Sequence, residues 1–206
     1  MKRALIGSGG FAKEVKAHIG DFTMKCFVHD RYYVPNNNKN IYPISQFDPS
    51  EYEVLVAVGD STERNYIVQT LPQETKFFSF IHPSAIILGN DVEIGEGSIV
   101  CAGAIITANV KIGKHAHLNL HTTVGHDCVI GHFFTTAPGA KISGNCTIGD
   151  CVYVGTNASI KQRIEICNSV VIGLNSGVVK NITESGTYVG TPSVKIKNEK
   201  RSIIYL

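Results

Sequence analysis

Between residues 88 and 178 a large aliphatic side chain returns at every sixth position: Leu88, Ile94, Val100, Ile106, Ile112, Leu118, Val124 and Ile130, then Ile142, Ile148, Val154, Ile160, Ile166, Ile172 and Val178. Thr136 is the one departure. Two positions ahead of most of them stands a compact or β-branched residue, such as Val92, Ser98, Ala104, Val110 or Ala116, with Phe134 as the bulky exception. A helix repeats at 3.6 residues and a half-buried strand at two, so neither accounts for a run in sixes. The pattern predicts a solenoid of short strands and tight turns, three hexads to a triangular coil, with the third and fifth positions of each hexad from Ser84 pointing inward. Coils then stack at the strand spacing of roughly 4.8 Å, and the run makes about five coils around one continuous core.

The first eighty residues alternate differently. Arg3 to Ile6 reads as a buried strand, Gly7-Ser8-Gly9-Gly10 as a turn and Phe11 to Ile19 as a helix. Lys25 to His29 is a second strand ending at Asp30-Arg31, and Val54 to Val58 a third ending at Gly59-Asp60. Glu63 to Leu71 is a second helix, Lys76 to Phe80 a last strand, and His82-Pro83 the hinge into the repeats. Strand, glycine turn and helix together turn backbone N–H groups and a helix N-terminus toward an anion. An acid at the end of the second strand is where such folds hold a ribose hydroxyl. Those glycines also suit a purely structural turn, and Asp30 is what favours a ligand. Eighty residues hold little more than one mononucleotide half, so the expectation is a Rossmann-like half-domain for a nucleotide rather than for NAD.

Composition narrows the setting. The chain of 206 residues is 43% hydrophobic and 17% charged with a net charge of +2, which gives no reason to expect nucleic acid or a membrane surface as partner. The apolar start is too short for a signal sequence and no later run approaches a membrane span, so a cytoplasmic location is expected. Six cysteines without a C-x-x-C spacing read as free, buried fillers, with Cys128 and Cys146 stacked in adjacent coils.

Five of the eight histidines, His115, His117, His121, His126 and His132, fall within the length of one coil, and none takes an inward phase. His115, His117 and His132 are therefore expected to be exposed bystanders. His126 differs because Asp127 follows it, and a carboxylate beside an imidazole fixes one tautomer and steadies the imidazolium.

With a small G-x-G-G unit ahead of the repeats, a His-acid pair in the middle coils and the ending Tyr188-Val189-Gly190-Thr191-Pro192, the chain resembles the bacterial sugar acetyltransferases of the hexapeptide-repeat, left-handed parallel β-helix superfamily. Within them it is most similar to the enzymes that N-acetylate nucleotide-linked 4-amino-4,6-dideoxy sugars, and next to the sialic acid O-acetyltransferases. The resemblance implies a half-domain over 1–80, a left-handed β-helix over 84–190 and a C-terminal extension over 191–206. It also implies a homotrimer, with acetyl-CoA as co-substrate and no metal. His126 matches the general base, Asp127 its acidic partner, often a glutamate, and Gly144 the backbone donor to the thioester carbonyl. Asn119, Thr135, Thr156 and Leu174 match contacts to the pantetheine arm, and Lys161 and Lys180 those to the adenine end. Thr135 stands where some relatives carry a second histidine. Gly9, Gly10, Phe11, Asp30, Arg31, Gly59 and Asp60 are the expected contacts to a UDP- or dTDP-linked acceptor. Two readings from other classes compete. A zinc enzyme would use His121 and His126, but the third ligand position is Ala85; a non-catalytic nucleotide-binding scaffold has no need of a His-acid pair.

Overall fold

A computed structural model describes residues 1–35 and 40–196. Strands β1 (Lys2–Ile6), β2 (Lys25–Val28), β3 (Ile41–Pro43), β4 (Tyr52–Val56) and β5 (Lys76–Phe77) form a parallel sheet in the order β3-β2-β1-β4-β5. Helix α1 (Gly10–Ile19) follows β1 and α2 (Ser61–Thr70) follows β4. The central strands are buried on both faces, as covered parallel sheets are: Ala4, Ile6, Val54 and Val56 pack toward Ile67 and Val68 of α2, while Leu5 and Leu55 pack toward Ala12 and Val15 of α1. Asp60 caps α2 by accepting the Glu63 N–H at 2.7 Å, so that helix begins two residues earlier than its apolar pattern suggests. The short edge strand β3 was not legible, because a three-residue run ending in Pro43 carries almost no periodic signal.

The chain order along this sheet reverses between β1 and β4. In open parallel sheets that switch point opens a crevice at the carboxyl ends of the two strands. Here the crevice is flanked by the Gly7–Gly10 turn and by the Val58–Asp60 turn.

The expected strand over 76–80 divides. Lys76–Phe77 closes the first sheet, and Phe80–Ile81 already pairs with Ile99–Val100 of the solenoid. From there three parallel sheets make the walls of a triangular prism, and partners such as Ile105 and Thr123, or Thr123 and Lys141, lie one eighteen-residue coil apart. Every sixth residue from Gly97 to Asn175 has a positive φ, between 52° and 72°, and turns a corner. Asn holds four of these positions, the cheapest non-glycine choice there.

The hexad frame holds from Ser98 to Val178, where inward side chains are buried almost without exception. It fails in the first coil. Ile106 pairs with Ile87, nineteen residues earlier, whereas Ile112 pairs with Ile94, eighteen earlier, so one extra residue lies between Ile87 and Ile94. Leu88, read as the first inward residue, is consequently 65% exposed. The Thr136 departure has a polar reason: its hydroxyl, fully buried, accepts the Asn119 N–H at 2.9 Å and bonds the Thr122 hydroxyl at 2.7 Å.

Cys26, Cys101, Cys128 and Cys146 are buried free thiols, and burial pushes Cys101 up to about 12. Gly186–Val189 extends one wall, and Val194–Lys195 folds back antiparallel on it, so the expected extension over 191–206 begins as part of that wall. Its residues beyond 196 lie outside the described residues. The first sheet and the prism share a core, in which Leu5, Val15 and Cys26 pack with Ile99 and Cys101.

Candidate active site

One corner column of the prism carries residues 107–109, 125–127, 143–145 and 161–163 in successive coils. Asp127 occupies the turn position with φ 59°, which brings its carboxylate back alongside the preceding residue: Asp127 Oδ2 lies 2.6 Å from His126 Nδ1. Asn109, one coil below, donates to Asp127 Oδ1 at 2.7 Å. The hydrogen bond from His126, followed by that from Asn109, holds the Asp127 carboxyl below its ordinary range, so it is ionised at neutral pH and acts as acceptor only. Nδ1 of His126 then carries the proton and Nε2 is the basic nitrogen. The imidazole is 60% exposed and lies over Gly144 one coil above, where an added Cβ would come within 2.7 Å of Nε2. The Gly144 N–H donates to no protein acceptor among the described contacts, in contrast to the neighbouring column, where the side chains of His132, Asp150 and Asn168 each accept a backbone N–H one coil below. A base with a fixed tautomer beside an unpaired N–H can take a proton from a nucleophile and stabilise an oxyanion.

The other expected site residues divide between two places. Lys161 and Lys180 are exposed in the His126 column, whereas Asn119, Thr156 and Leu174 lie in a different corner column, across one wall of the prism. Asn119 and Thr156 line a cavity of about 270 Å³ beneath the switch point of the first sheet, together with Thr135, Thr136, Pro138 and Tyr153 from the prism and Phe11, Glu14, Gly59 and Asp60 from above. Asp30 and Arg31 stay outside it. Asp30 accepts the Ser45 N–H at 3.1 Å, and the Arg31 guanidinium stacks on Tyr32 at 4.5 Å.

The glycines separate into two kinds. Gly7 is required by the fold, with φ 111° and an added Cβ within 3.0 Å of the Ala57 carbonyl. Gly9, Gly10 and Gly59 have nothing within 4 Å of an added Cβ. Their bareness serves no packing, and it leaves backbone open at the crevice.

The bystander expectation fails for His115 and His117. Both point out of the prism, but the first sheet covers them, and they are 4% and 1% exposed. His115 stacks on Phe133 at 5.1 Å and meets Phe77 edge-on, and His117 lies 5.0 Å from Phe11. Burial pushes His115 down to about 4 and His117 well below the usual histidine range, so both are neutral. His132 is exposed as expected, though its Nδ1 accepts the Lys114 N–H at 2.9 Å.

Arg64 was not singled out by sequence reasoning, since an arginine in a polar helix gives no local sign of burial. It is wholly buried between α2 and the prism, and among the described residues no carboxylate forms an ion pair with it, Asp60 acting on it only at longer range. Its guanidinium donates to the carbonyls of Val58 at 2.8 Å, His115 at 2.9 Å and Phe133 at 2.9 Å, and to Thr135 Oγ1 at 2.7 Å. Desolvation lowers its pKa to about 9, which leaves it charged at neutral pH. No group of three His, Cys, Asp or Glu among the described residues is placed to hold a metal.

No family profile matches the chain. Among curated proteins, a stretch of 63 residues is 40% identical to a GDP-perosamine N-acetyltransferase of Escherichia coli O157:H7 and spans 31% of this chain and 28% of that protein. Solved structures match almost end to end. WeeI from Acinetobacter baumannii AYE is 30% identical with a TM-score of 0.84, covering 95% of this chain and all of that one. The acetyltransferase domain of PglB from Neisseria gonorrhoeae FA1090 is 28% identical with a TM-score of 0.82, covering 95% and 99%, and has also been solved with acetyl coenzyme A. PerB from Caulobacter crescentus, solved with CoA and GDP-perosamine, shares the fold at 24% identity and a TM-score of 0.82, over 96% and 98%. The chain belongs to the hexapeptide-repeat, left-handed β-helix sugar acetyltransferases, enzymes whose acetyl donor is acetyl-CoA.

Proposed function

We propose that this protein transfers the acetyl group of acetyl-CoA to the C4 amine of a nucleotide-linked 4-amino-4,6-dideoxy sugar, with His126 as general base. The observation that carries the reading is the exposed His126–Asp127 pair over the bare Gly144. The amine attacks the thioester carbon and His126 Nε2 accepts its proton. The oxyanion of the tetrahedral intermediate takes a hydrogen bond from the Gly144 N–H, and collapse expels the CoA thiolate. General-base assistance contributes roughly 10² to 10⁴ in rate, and one oxyanion donor roughly 3 to 4 kcal/mol. Among the described residues no thiol or serine is paired with the His126 ring, which favours direct transfer over an acyl-enzyme.

The α/β unit over 1–80 acts as a Rossmann-like half-domain for the nucleotide, supported by the bare backbone at Gly9, Gly10 and Gly59 beside Phe11 and Asp60. Asp30 and Arg31 serve the outer edge of that site. The pantetheine contacts Asn119, Thr156 and Leu174 lie in another corner column than His126, Gly144, Lys161 and Lys180. A CoA arm that touches both sets needs columns from two chains. This supports the homotrimer that the family resemblance implies, with the active site between adjacent β-helices.

The test is thiol release from acetyl-CoA with UDP-, dTDP- and GDP-linked 4-amino-4,6-dideoxy sugars against free sialic acid. Turnover on one nucleotide sugar is expected. Release with sialic acid alone would replace this reading by the O-acetyltransferase one.

A further inference from the structure

The corners of the prism favour asparagine for its backbone, since it takes a positive φ at little cost. Asn145, Asn157 and Asn175 do no more than that, for none of their side chains makes a hydrogen bond among the described contacts. Asn109 differs. Its side chain reaches one coil up and donates from Nδ2 to Asp127 Oδ1 at 2.7 Å, a bond that the corner preference does not explain.

The Asp127 carboxylate has a use for a second holder. Its side chain is 45% exposed, and an exposed pair resting on a single contact is weakly held against water. Among the described residues no lysine or arginine forms an ion pair with it, and His126 and Asn109 are the two side chains that bond it. An ionised carboxylate only accepts, so the amide must present Nδ2; with Oδ1 taken in this way, Oδ2 is the oxygen left for His126 Nδ1 at 2.6 Å. The backbone beneath is tied down as well, because the Asp127 N–H donates to the Ala108 carbonyl at 3.0 Å. Donor and acceptor therefore meet on a fixed frame, one coil apart.

We infer that Asn109 is a positioning residue for the acetyl transfer: its amide fixes the rotation of the Asp127 carboxylate, and through it the tautomer and direction of the His126 ring. The inference rests on His126 as the base, as proposed above, and adds a residue that never touches the reacting atoms. A carboxylate free to rotate would leave the imidazole without a fixed proton on Nδ1, and Nε2 would no longer be held bare over Gly144.

Asn109→Gly removes the amide and leaves a residue that adopts the φ of 52° freely. With the acceptor that the native protein turns over, it is expected to lower kcat about tenfold, the size of one hydrogen bond to a charged group, with both KM values within about twofold. Asn109→Asp keeps the shape but sets one carboxylate against another, and should lower kcat at least as far. In an Asp127→Gly background the Asn109→Gly change should cost less than about twofold, because a residue that acts through Asp127 then has nothing to position. The imidazole nitrogen signals of histidine-labelled protein give a readout apart from turnover. In mildly alkaline buffer the His126 signals, assigned by their loss in His126→Ala, should report a proton on Nδ1 in the native protein and mixed tautomers in Asn109→Gly. A purely structural corner residue would move the thermal midpoint and leave tautomer and kcat alone. Should Asn109→Gly misfold, Asn109→Asp carries the same comparisons. An unchanged tautomer or kcat in the folded variant, or an equal loss without Asp127, would overturn the inference while the general base stands; unchanged turnover in His126→Ala would count against the base itself.

Discussion

His126 and His117 lie in neighbouring coils and meet opposite surroundings. His126 stands at a corner open to solvent, held by a carboxylate and poised over a glycine. His117 stands on a wall that the first sheet covers, against the Phe11 ring and the Val56 backbone and with no side-chain partner for either nitrogen among the described residues. The prism gives each an outward phase, so the difference arises from what lies against it. An imidazole at an open corner with an ionised neighbour is suited to move protons. Beneath a docked sheet it is held neutral and can only exchange hydrogen bonds.

The sharpest way to break this contrast is to remove the exposed ring. His126→Ala is expected to lower turnover by at least about a hundredfold while nucleotide affinity, read by calorimetry, changes little; unchanged turnover would end the general-base assignment. Second comes the clamp that keeps the other wall covered. Arg64→Met strands the carbonyls of Val58, His115 and Phe133 without donors, and should destabilise the fold by about 3 kcal/mol or more in urea. A loss below about 1 kcal/mol would mean that the sheet is held by its apolar contacts alone.

The most gradual effect, spread over pH units rather than set by one substitution, is acid sensitivity. His115 and His117 have folded pKa values below their unfolded ones, so at neutral pH they contribute nothing to pH dependence. As pH falls below about 6.5 the unfolded chain takes up protons that the folded chain refuses, and stability drops by roughly 1.4 kcal/mol per pH unit per group. The Arg64 charge reinforces the shift at both rings, and Glu96 opposes it at His115. The thermal midpoint should fall between pH 7 and pH 5, and His115→Phe, which preserves the stack on Phe133, should flatten that fall. A native midpoint constant over this range would contradict the burial of these rings.

The sequence by itself determined the prism, because inward positions in a stacked coil must be apolar at a fixed interval and that interval survives in the chain as a period of six. It also held the His126–Asp127 contact, which spans a single peptide unit, and the Gly7 turn, whose φ of 111° is available to glycine. It did not hold the slip before Ile94, since Leu88 in the wrong frame looks as apolar as Ile87 in the right one. Nor did it hold the fate of His115 and His117 or the clamp at Arg64. Those depend on a sheet docking against a wall, through hydrogen bonds between residues 51 and 71 positions apart. Contacts at such separation leave no local period, and a polar side chain on an outward phase reads the same whether water or another layer of protein lies beyond it.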